Sequence, residues 1–111
     1  MKRARTDSEI SLAAEEFVWE CGGLTEAHEW ILPVVSEWLD QSDRTTILDI
    51  GCGNGAFTNA LASGGRELLG IDASWSGIEI ARQSNQAVRF IQADIDEPLP
   101  KDLQGYFDAV V

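Results

Sequence analysis

The residues with the clearest chemical potential lie in the stretch ILDIGCGNGAF, residues 47–57. Its apolar run carries one acid, Asp49, and is followed by three alternating glycines, at positions 51, 53 and 55. Glycines remove side chains and allow positive φ, so such a loop lets another molecule approach the backbone closely. A second acid, Asp72, lies 21 residues after Gly51. A carboxylate at this spacing can accept hydrogen bonds from ribose hydroxyls. The pattern therefore indicates a site for a nucleoside-containing ligand.

Strands and helices that alternate along the chain would position such a site. The apolar and periodic segments predict four strands, at 45–50, 67–71, 88–92 and 107–111, and two helices between them, at 56–62 and about 76–84. Ser76 and Glu79 have the spacing of a capping box for the second of these helices. The alternation predicts an α/β fold with a mainly parallel sheet and right-handed crossovers, in a Rossmann-like three-layer αβα arrangement. The glycine loop and Asp72 would then meet outside the carboxyl ends of neighbouring strands.

The residues before the first strand predict two helices. A polar lead and a short amphipathic helix, capped by Ser8, end at Cys21-Gly22-Gly23. A second helix is predicted over residues 25–39, with a kink or a restart near Pro33. Its apolar residues recur at three- and four-residue steps and predict one buried face, made of Ala27, Trp30, Ile31, Val34, Val35, Trp38 and Leu39.

Two classes of cofactor fit the glycine loop. The string GCGNGA, residues 51–56, formally fits the dinucleotide fingerprint, with alanine at the last position. A dinucleotide, however, presents a pyrophosphate to this loop, and the carboxylate of Asp49 would repel that anion. S-adenosylmethionine has no phosphate, and its ammonium and sulfonium groups are cationic. An acid at this position therefore favours S-adenosylmethionine over NAD, although the fingerprint and Asp72 suit both.

Four segments together resemble the motifs of the class I S-adenosylmethionine-dependent methyltransferases. ILDIGCGNGAFTNAL is similar to their first motif, LLGIDAS to the second, VRFIQADIDEPLP to the third and YFDAVV to the start of the fourth. The resemblance covers about residues 45–111, and four motifs in order are far more specific than one glycine loop. It implies S-adenosylmethionine as cofactor. The family's sheet has seven strands, so four strands imply the N-terminal cofactor-binding half, truncated after a fourth strand that is left at an open edge.

The resemblance assigns roles to the residues of the first motif. Asp49 would contact the methionine ammonium, directly or through water. Gly51, Cys52 and Gly53 would lie against the methionine portion and the ribose. From the residues themselves, Asp49 has the alternative of bonding to loop amides, and Cys52 is interpreted as a small residue in a tight loop.

The second and third motifs would hold the nucleoside. The resemblance implies that Asp72 binds the ribose hydroxyls and that Ala73 touches the adenine face. Asp94 would accept a hydrogen bond from the adenine amino group, and the Ile95 backbone N–H would reach a ring nitrogen. A solvated acidic turn is the alternative for Asp94. Trp75 has two readings, as a flank of the adenine or as packing between helix and sheet.

The composition of the chain limits the classes of partner that it is expected to bind. The chain has 111 residues, with 19 acids against 8 bases and a net charge of −11, so it carries no strong signal for nucleic-acid binding. Its 2 cysteines, Cys21 and Cys52, have no metal-site spacing, and no metal is expected. No apolar run is long enough to span a bilayer. A reducing cytoplasm is the expected location.

These observations predict two regions and leave more than one function open. Residues 1–44 form an N-terminal helical lead and lid region, in which Phe17-Val18-Trp19 is a candidate to close the site, and residues 45–111 form an incomplete S-adenosylmethionine-binding domain. The expected activity is methyl transfer to a small-molecule acceptor, with unknown catalytic residues. The alternatives are an NAD-type oxidoreductase domain and a non-catalytic cofactor-binding fragment. The isolated chain is expected to transfer methyl groups poorly, and its apolar fourth-strand edge could favour association.

Overall fold

The computed structural model describes residue 19 and residues 21–84 and 87–111, so the helix predicted after Ser8 lies outside the described residues. Strands and helices alternate as predicted: α1 (Glu26–Gln41), β1 (Thr46–Ile50), α2 (Ala56–Ala62), β2 (Glu67–Asp72), α3 (Trp75–Ser84), β3 (Arg89–Gln92), a 3-10 turn (Lys101–Leu103) and β4 (Ala109–Val110). The strand bounds differ from the predicted ones by one or two residues. Among the described residues, no helix is long and apolar enough to cross a bilayer.

The four strands form one parallel sheet in the order β3-β2-β1-β4. The register places Asp49 beside Gly70 and Asp72 beside Gln92. Pairing of β4 with β1 continues past the strand, because Val111 N–H donates to Leu48 O and Ile50 N–H donates to Val111 O, both at 2.9 Å. The predicted position of the fourth strand, beside the first at an edge of the described sheet, is confirmed.

Successive strand residues point to opposite faces of the sheet, and this separates two apolar clusters. The first cluster lies under helices α1, α2 and α3 and is made mainly of Leu39, Ile47, Leu61, Leu68, Ile78, Ala81, Phe90 and Ala109. The second covers the other face, where Leu103 of the 3-10 turn packs against Leu48, Leu69 and Ile71. The predicted Rossmann-like α/β sheet is therefore confirmed. In the described residues its second face is covered by the connection between β3 and β4.

Helix α1 starts with a reciprocal cap. The Thr25 hydroxyl accepts from His28 N–H, and His28 Nδ1 accepts from Thr25 N–H, each at 3.3 Å. The histidine takes the place that Glu or Gln usually fills in a capping box. The helix continues through Pro33 to Gln41, so the chain does not restart at the proline, and the kink that was the other predicted outcome stays a prediction.

The predicted buried face of α1 is also largely wrong. Leu39 is buried and Val35 is partly buried, but five other members of the predicted face are exposed: Ala27, Trp30, Ile31, Val34 and Trp38. The inner side runs instead through His28, whose ring lies 5.2 Å from the ring of Phe57 in α2, and through Leu32. Two apolar stripes share three- and four-residue spacing, so the sequence alone does not distinguish them. Packing against α2 and the sheet selects one of them.

The start of α3 differs from the predicted capping box. The helix begins at Trp75, and the Ser74 hydroxyl accepts from Gly77 N–H at 3.4 Å. Asp72 sets this earlier start, because its Oδ1 accepts from Ser74 N–H at 2.8 Å and turns the chain there. Ser76 has a different partner, since its hydroxyl accepts from Trp19 N–H at 3.0 Å.

Candidate cofactor-binding site

A cavity of about 240 Å³ opens at the carboxyl ends of β1, β2 and β3. Parallel strands end at the same edge of the sheet, so the loops that follow them meet there. Five of the eight predicted cofactor residues line this cavity: Gly51, Asp72, Ala73, Asp94 and Ile95. The remaining lining residues are apolar, namely Ile50, Ile71 and Ala93. Asp49, Cys52 and Gly53 are not on its wall.

Two loops fix the Asp72 carboxylate at the cavity wall. Its Oδ2 accepts from Gly53 N–H at 2.9 Å, and its Oδ1 accepts from Ser74 N–H at 2.8 Å. Each oxygen of a carboxylate can accept more than one hydrogen bond. The backbone therefore orients Asp72 and leaves acceptor capacity for a ligand with paired hydroxyls.

The three glycines of the loop lack side chains for three different reasons. A Cβ atom at Gly51 would meet nothing within 4 Å, so this residue is bare toward the cavity that it lines. A Cβ at Gly53 would lie 2.3 Å from Trp19 Cζ2. A Cβ at Gly55 would lie 2.5 Å from the Cβ of Ala81 in α3. Within the described residues, the space over Gly51 is thus open to a ligand, whereas Gly53 and Gly55 are contacted by the protein itself.

Asp49 is buried between β1 and α2, with 5% of its surface exposed. Its Oδ2 accepts from the Thr58 hydroxyl at 2.6 Å. Burial raises the pKa of Asp49 to about 6. The Thr58 hydrogen bond opposes this rise, and the charge of Asp72 adds to it. The carboxyl group is therefore mostly ionised at pH 7 although it is nearly buried. Asp49 therefore lies behind the loop, and a ligand in the cavity would sense its charge without touching its side chain.

Replacing Asp49 by asparagine is expected to reduce the pH dependence of stability. The folded pKa of about 6 lies above the ordinary value of 3.8, so ionisation destabilises the folded state as pH rises through this range. Asparagine stays neutral and can still accept from Thr58. The free energy of unfolding of Asp49→Asn should exceed that of the unmodified chain by about 1–3 kcal/mol at pH 7, at about 1.4 kcal/mol per pKa unit.

Urea unfolding at several pH values measures this difference, which should vanish below about pH 3, where Asp49 is protonated in the folded and the unfolded chain alike. Thr58→Val serves as a matched control, because it removes the hydrogen bond that lowers the pKa of Asp49 but keeps the carboxyl buried. Its stability should keep falling to a higher pH than that of the unmodified chain, so that the total loss is larger. Identical profiles for the unmodified chain and Asp49→Asn would contradict the prediction.

Cys52 turns its side chain into the helix-covered core and is 3% exposed. Burial, together with the charges of Asp49 and Asp72, raises the pKa of its thiol to about 12. The thiol is therefore neutral. This agrees with the interpretation of Cys52 as a small residue in a tight loop, and its predicted contact with a cofactor would be made by its backbone.

Asp94 and Ile95, from the third motif, lie on the cavity wall, and Asp94 also forms a local turn. Asp94 Oδ1 accepts from Asp96 N–H at 2.9 Å, and Asp94 O accepts from Glu97 N–H at 3.0 Å. Asp94 is partly buried, whereas Ile95 is 70% exposed. Trp75 takes a different place. The Arg82 guanidinium lies 5.3 Å from its ring centroid, and Trp75 does not line the cavity.

Sequence reasoning missed Asn54, which is 1% exposed inside the glycine loop. Its Oδ1 accepts from Ala56 N–H at 3.0 Å, and its Nδ2 donates to Cys21 O and Gly23 O, both at 2.9 Å. The hydrogen bond to Ala56 closes the kind of local turn that an Asn-Gly pair favours, so the sequence contained a signal for this contact. The bonds to residues 21 and 23 had none, because they join distant segments.

Comparison with known proteins places this geometry in a family. The profile of the family described as methyltransferase domain matches residues 47–111. The putative methyltransferase YqeM of Bacillus subtilis strain 168 is 38% identical over 81 residues, which cover 68% of this chain and 32% of that protein. The ubiquinone biosynthesis O-methyltransferase of Alkalilimnicola ehrlichii is 32% identical over 95 residues, which cover 82% of this chain and 38% of that enzyme. The chain spans about a third of the length of these relatives.

Solved structures show the same similarity. The PH0226 protein of Pyrococcus horikoshii OT3 has a TM-score of 0.63 and 26% identity, over 78% of this chain and 42% of that one. The plantazolicin methyltransferase BpumL, solved in complex with SAH, has a TM-score of 0.58 and 26% identity, over 71% of this chain and 32% of that one. The motifs, the sheet and these comparisons agree: the chain belongs to the methyltransferase domain family, as its resemblance to the class I S-adenosylmethionine-dependent methyltransferases implied.

Proposed function

We propose that the chain binds S-adenosylmethionine in the cavity at the carboxyl ends of its strands, as the cofactor-binding part of a methyltransferase. The observation that carries this proposal is the pair formed by Asp72 and Gly51. Asp72 is fixed at the wall by two backbone N–H groups, and Gly51 leaves the backbone beside it open. A ribose needs a fixed carboxylate such as that of Asp72, and a ligand that approaches closely needs an open backbone such as that of Gly51. The SAH complex of BpumL supports the choice of nucleoside.

The nucleoside end of the cofactor fits the chemistry of the remaining wall. Ala73 and Ile95 offer apolar surface to an adenine ring, and Asp94 offers a carboxylate to its amino group. Ile95 is 70% exposed, so a bound ring would remove apolar surface from water. These roles for Ala73, Asp94 and Ile95 remain predictions.

The charge around the loop favours the methionine end over a pyrophosphate. Asp49 and Asp72 are close enough for the charge of Asp72 to raise the pKa of Asp49. Two carboxylates beside one loop attract an ammonium and a sulfonium and repel a diphosphate. The two acids therefore favour a sulfonium cofactor over NAD. No observation in the described residues favours NAD over S-adenosylmethionine.

Bound S-adenosylmethionine supplies a methyl group that its sulfonium already activates. The contribution of this chain is binding and orientation: Asp72 holds the ribose, Gly51 admits the backbone contact and Asp49 provides negative charge. Positioning of reactants can contribute up to about 7–11 kcal/mol to lowering a barrier. We propose a small-molecule acceptor, which the likeness to a ubiquinone biosynthesis O-methyltransferase supports. A base and acceptor-binding residues are not assigned to this chain.

Calorimetric titration with S-adenosylmethionine, S-adenosylhomocysteine and NAD tests the proposal. The two adenosyl compounds should bind at least about tenfold more tightly than NAD, a difference of about 1.4 kcal/mol. Asp49→Leu should weaken binding of S-adenosylmethionine but not that of NAD, whose diphosphate the carboxylate repels. Tighter binding of NAD would assign the cavity to a dinucleotide, and binding of none of the three would contradict a cofactor site.

A further inference from the structure

The indole of Trp19 fills the space beside two glycines on separate elements. A Cβ atom at Gly53 would lie 2.3 Å from Trp19 Cζ2, and a Cβ at Gly77 in α3 would lie 2.8 Å from Trp19 Cδ1. Both distances are far below van der Waals contact, so neither position could carry a side chain while the indole stays in place. A Cβ at Gly77 would also meet the Gly53 carbonyl oxygen at 2.5 Å. The glycine loop, α3 and Trp19 therefore pack in direct contact.

The backbone of Trp19 is linked through Ser76 to one of the two residues that hold Asp72. Trp19 N–H donates to the Ser76 hydroxyl at 3.0 Å, and that hydroxyl lies 3.0 Å from the hydroxyl of Ser74. Ser74 N–H in turn donates to Asp72 Oδ1, while Gly53 N–H donates to Asp72 Oδ2. Trp19 thus contacts Gly53 directly through its ring and is linked to Ser74 through the Ser76 hydroxyl.

The residues that follow Trp19 are tied to the glycine loop as well. The side chain of Asn54 donates to Cys21 O and Gly23 O at 2.9 Å, and it is almost completely buried. Residue 19 and residues 21–23, which we name the N-terminal strap, are therefore held at two places by the glycine loop and α3. Trp19 is not on the wall of the cavity, whereas Asp72 lies on that wall and is bonded to Gly53. The ring supports the loop from outside the cavity.

We propose that Trp19 is a positioning residue, which sets Gly53 and Asp72 for the ribose of the cofactor. It follows that Gly53 lacks a side chain because Trp19 occupies that space, and not because the cofactor does. This proposal rests on the proposed function for the identity of the ligand. It assigns to one residue of the N-terminal strap a defined action on the cofactor site.

A double-mutant cycle tests the proposal by calorimetric titration with S-adenosylhomocysteine. Trp19→Ala should weaken binding about tenfold through loss of support for the loop. Gly53→Ala should weaken it at least about tenfold more in the unmodified chain than in the Trp19→Ala background, because the added methyl group clashes with the indole. The positive φ of +55° at Gly53 disfavours alanine in both backgrounds, so this contribution cancels in the comparison.

Gly51→Ala is the matched control, since its φ of +78° is also positive but its Cβ would meet nothing within 4 Å. Its effect on binding should be the same in both backgrounds. Circular dichroism must show all variants folded before titration, and urea unfolding of the same variants should show the Trp19–Gly53 coupling without ligand. Equal effects of Gly53→Ala in both backgrounds would overturn the proposal while the proposed function survives. Failure of the unmodified chain to bind would overturn both.

Discussion

Replacing Asp72 by alanine is expected to lower the affinity for S-adenosylhomocysteine by about 100-fold or more. The substitution removes the acceptors proposed for two ribose hydroxyls, and hydrogen bonds to charged groups contribute about 1.5–3 kcal/mol each. It also releases Gly53 N–H and Ser74 N–H, whose bonds to Asp72 measure 2.9 and 2.8 Å. Binding and loop geometry are therefore lost together. Calorimetric titration measures the change in affinity.

Two control variants isolate the role of Asp72 from the loss of one negative charge. Asp96→Ala removes an exposed carboxylate that does not line the cavity, and it should change affinity less than about threefold. Asp72→Asn keeps an acceptor but loses the charge, and an intermediate loss of about tenfold is expected. Equal losses for Asp72→Ala and Asp96→Ala would mean that only the overall charge matters, and the ribose assignment would then fail.

Gly55→Ala is expected to destabilise the fold by about 2–5 kcal/mol. The residue has a φ of +79°, and its Cβ would lie 2.5 Å from the Cβ of Ala81 and 2.9 Å from Cζ of Phe90. The left-handed conformation costs a residue with a Cβ about 1–2 kcal/mol, and overpacking of a dense core adds about 1–3 kcal/mol. Neither neighbour has a flexible side-chain end that could move away. Since whole domains are stable by only about 5–15 kcal/mol, such a loss is readily measured by urea unfolding.

Gly51→Ala provides the comparison for this effect on stability. Its φ of +78° is nearly the same, but a Cβ there would meet nothing within 4 Å. The substitution should therefore cost about 1–2 kcal/mol from the backbone conformation alone. A similar loss for Gly51→Ala and Gly55→Ala would show that conformation, and not packing of α3 on the loop, explains the glycine at position 55.

Much of the fold could be predicted because the signals for it are local. The strands and helices from β1 to β4 follow from apolar runs, helical spacing and glycines that lie next to one another in the sequence. Parallel pairing then brings the ends of β1, β2 and β3 to one edge, which is why Gly51, Asp72 and Asp94 could be grouped before the structure was known. Their individual contacts with a cofactor remain predictions.

The errors occurred where a local pattern allowed two outcomes. In α1, Trp30 and Trp38 lie on one stripe with helical spacing and Leu39 lies on another, and both tryptophans are exposed, with Arg44 lying 4.5 Å from the ring of Trp38. In α3, Ser76 has capping spacing, but Asp72 starts the turn at Ser74. Spacing describes one face of one helix, whereas burial depends on which face meets the rest of the molecule.

By itself, the sequence determined the order of the strands and helices, the parallel sheet and the residues gathered at its carboxyl edge, because these depend on neighbours along the chain. The tertiary structure decided what each glycine of the loop contacts: the open cavity at Gly51, Trp19 at Gly53 and Ala81 at Gly55. It also decided that Asn54 holds residues 21 and 23. These contacts join residues far apart in the chain, and no local pattern specifies which distant side chain will fill a given space.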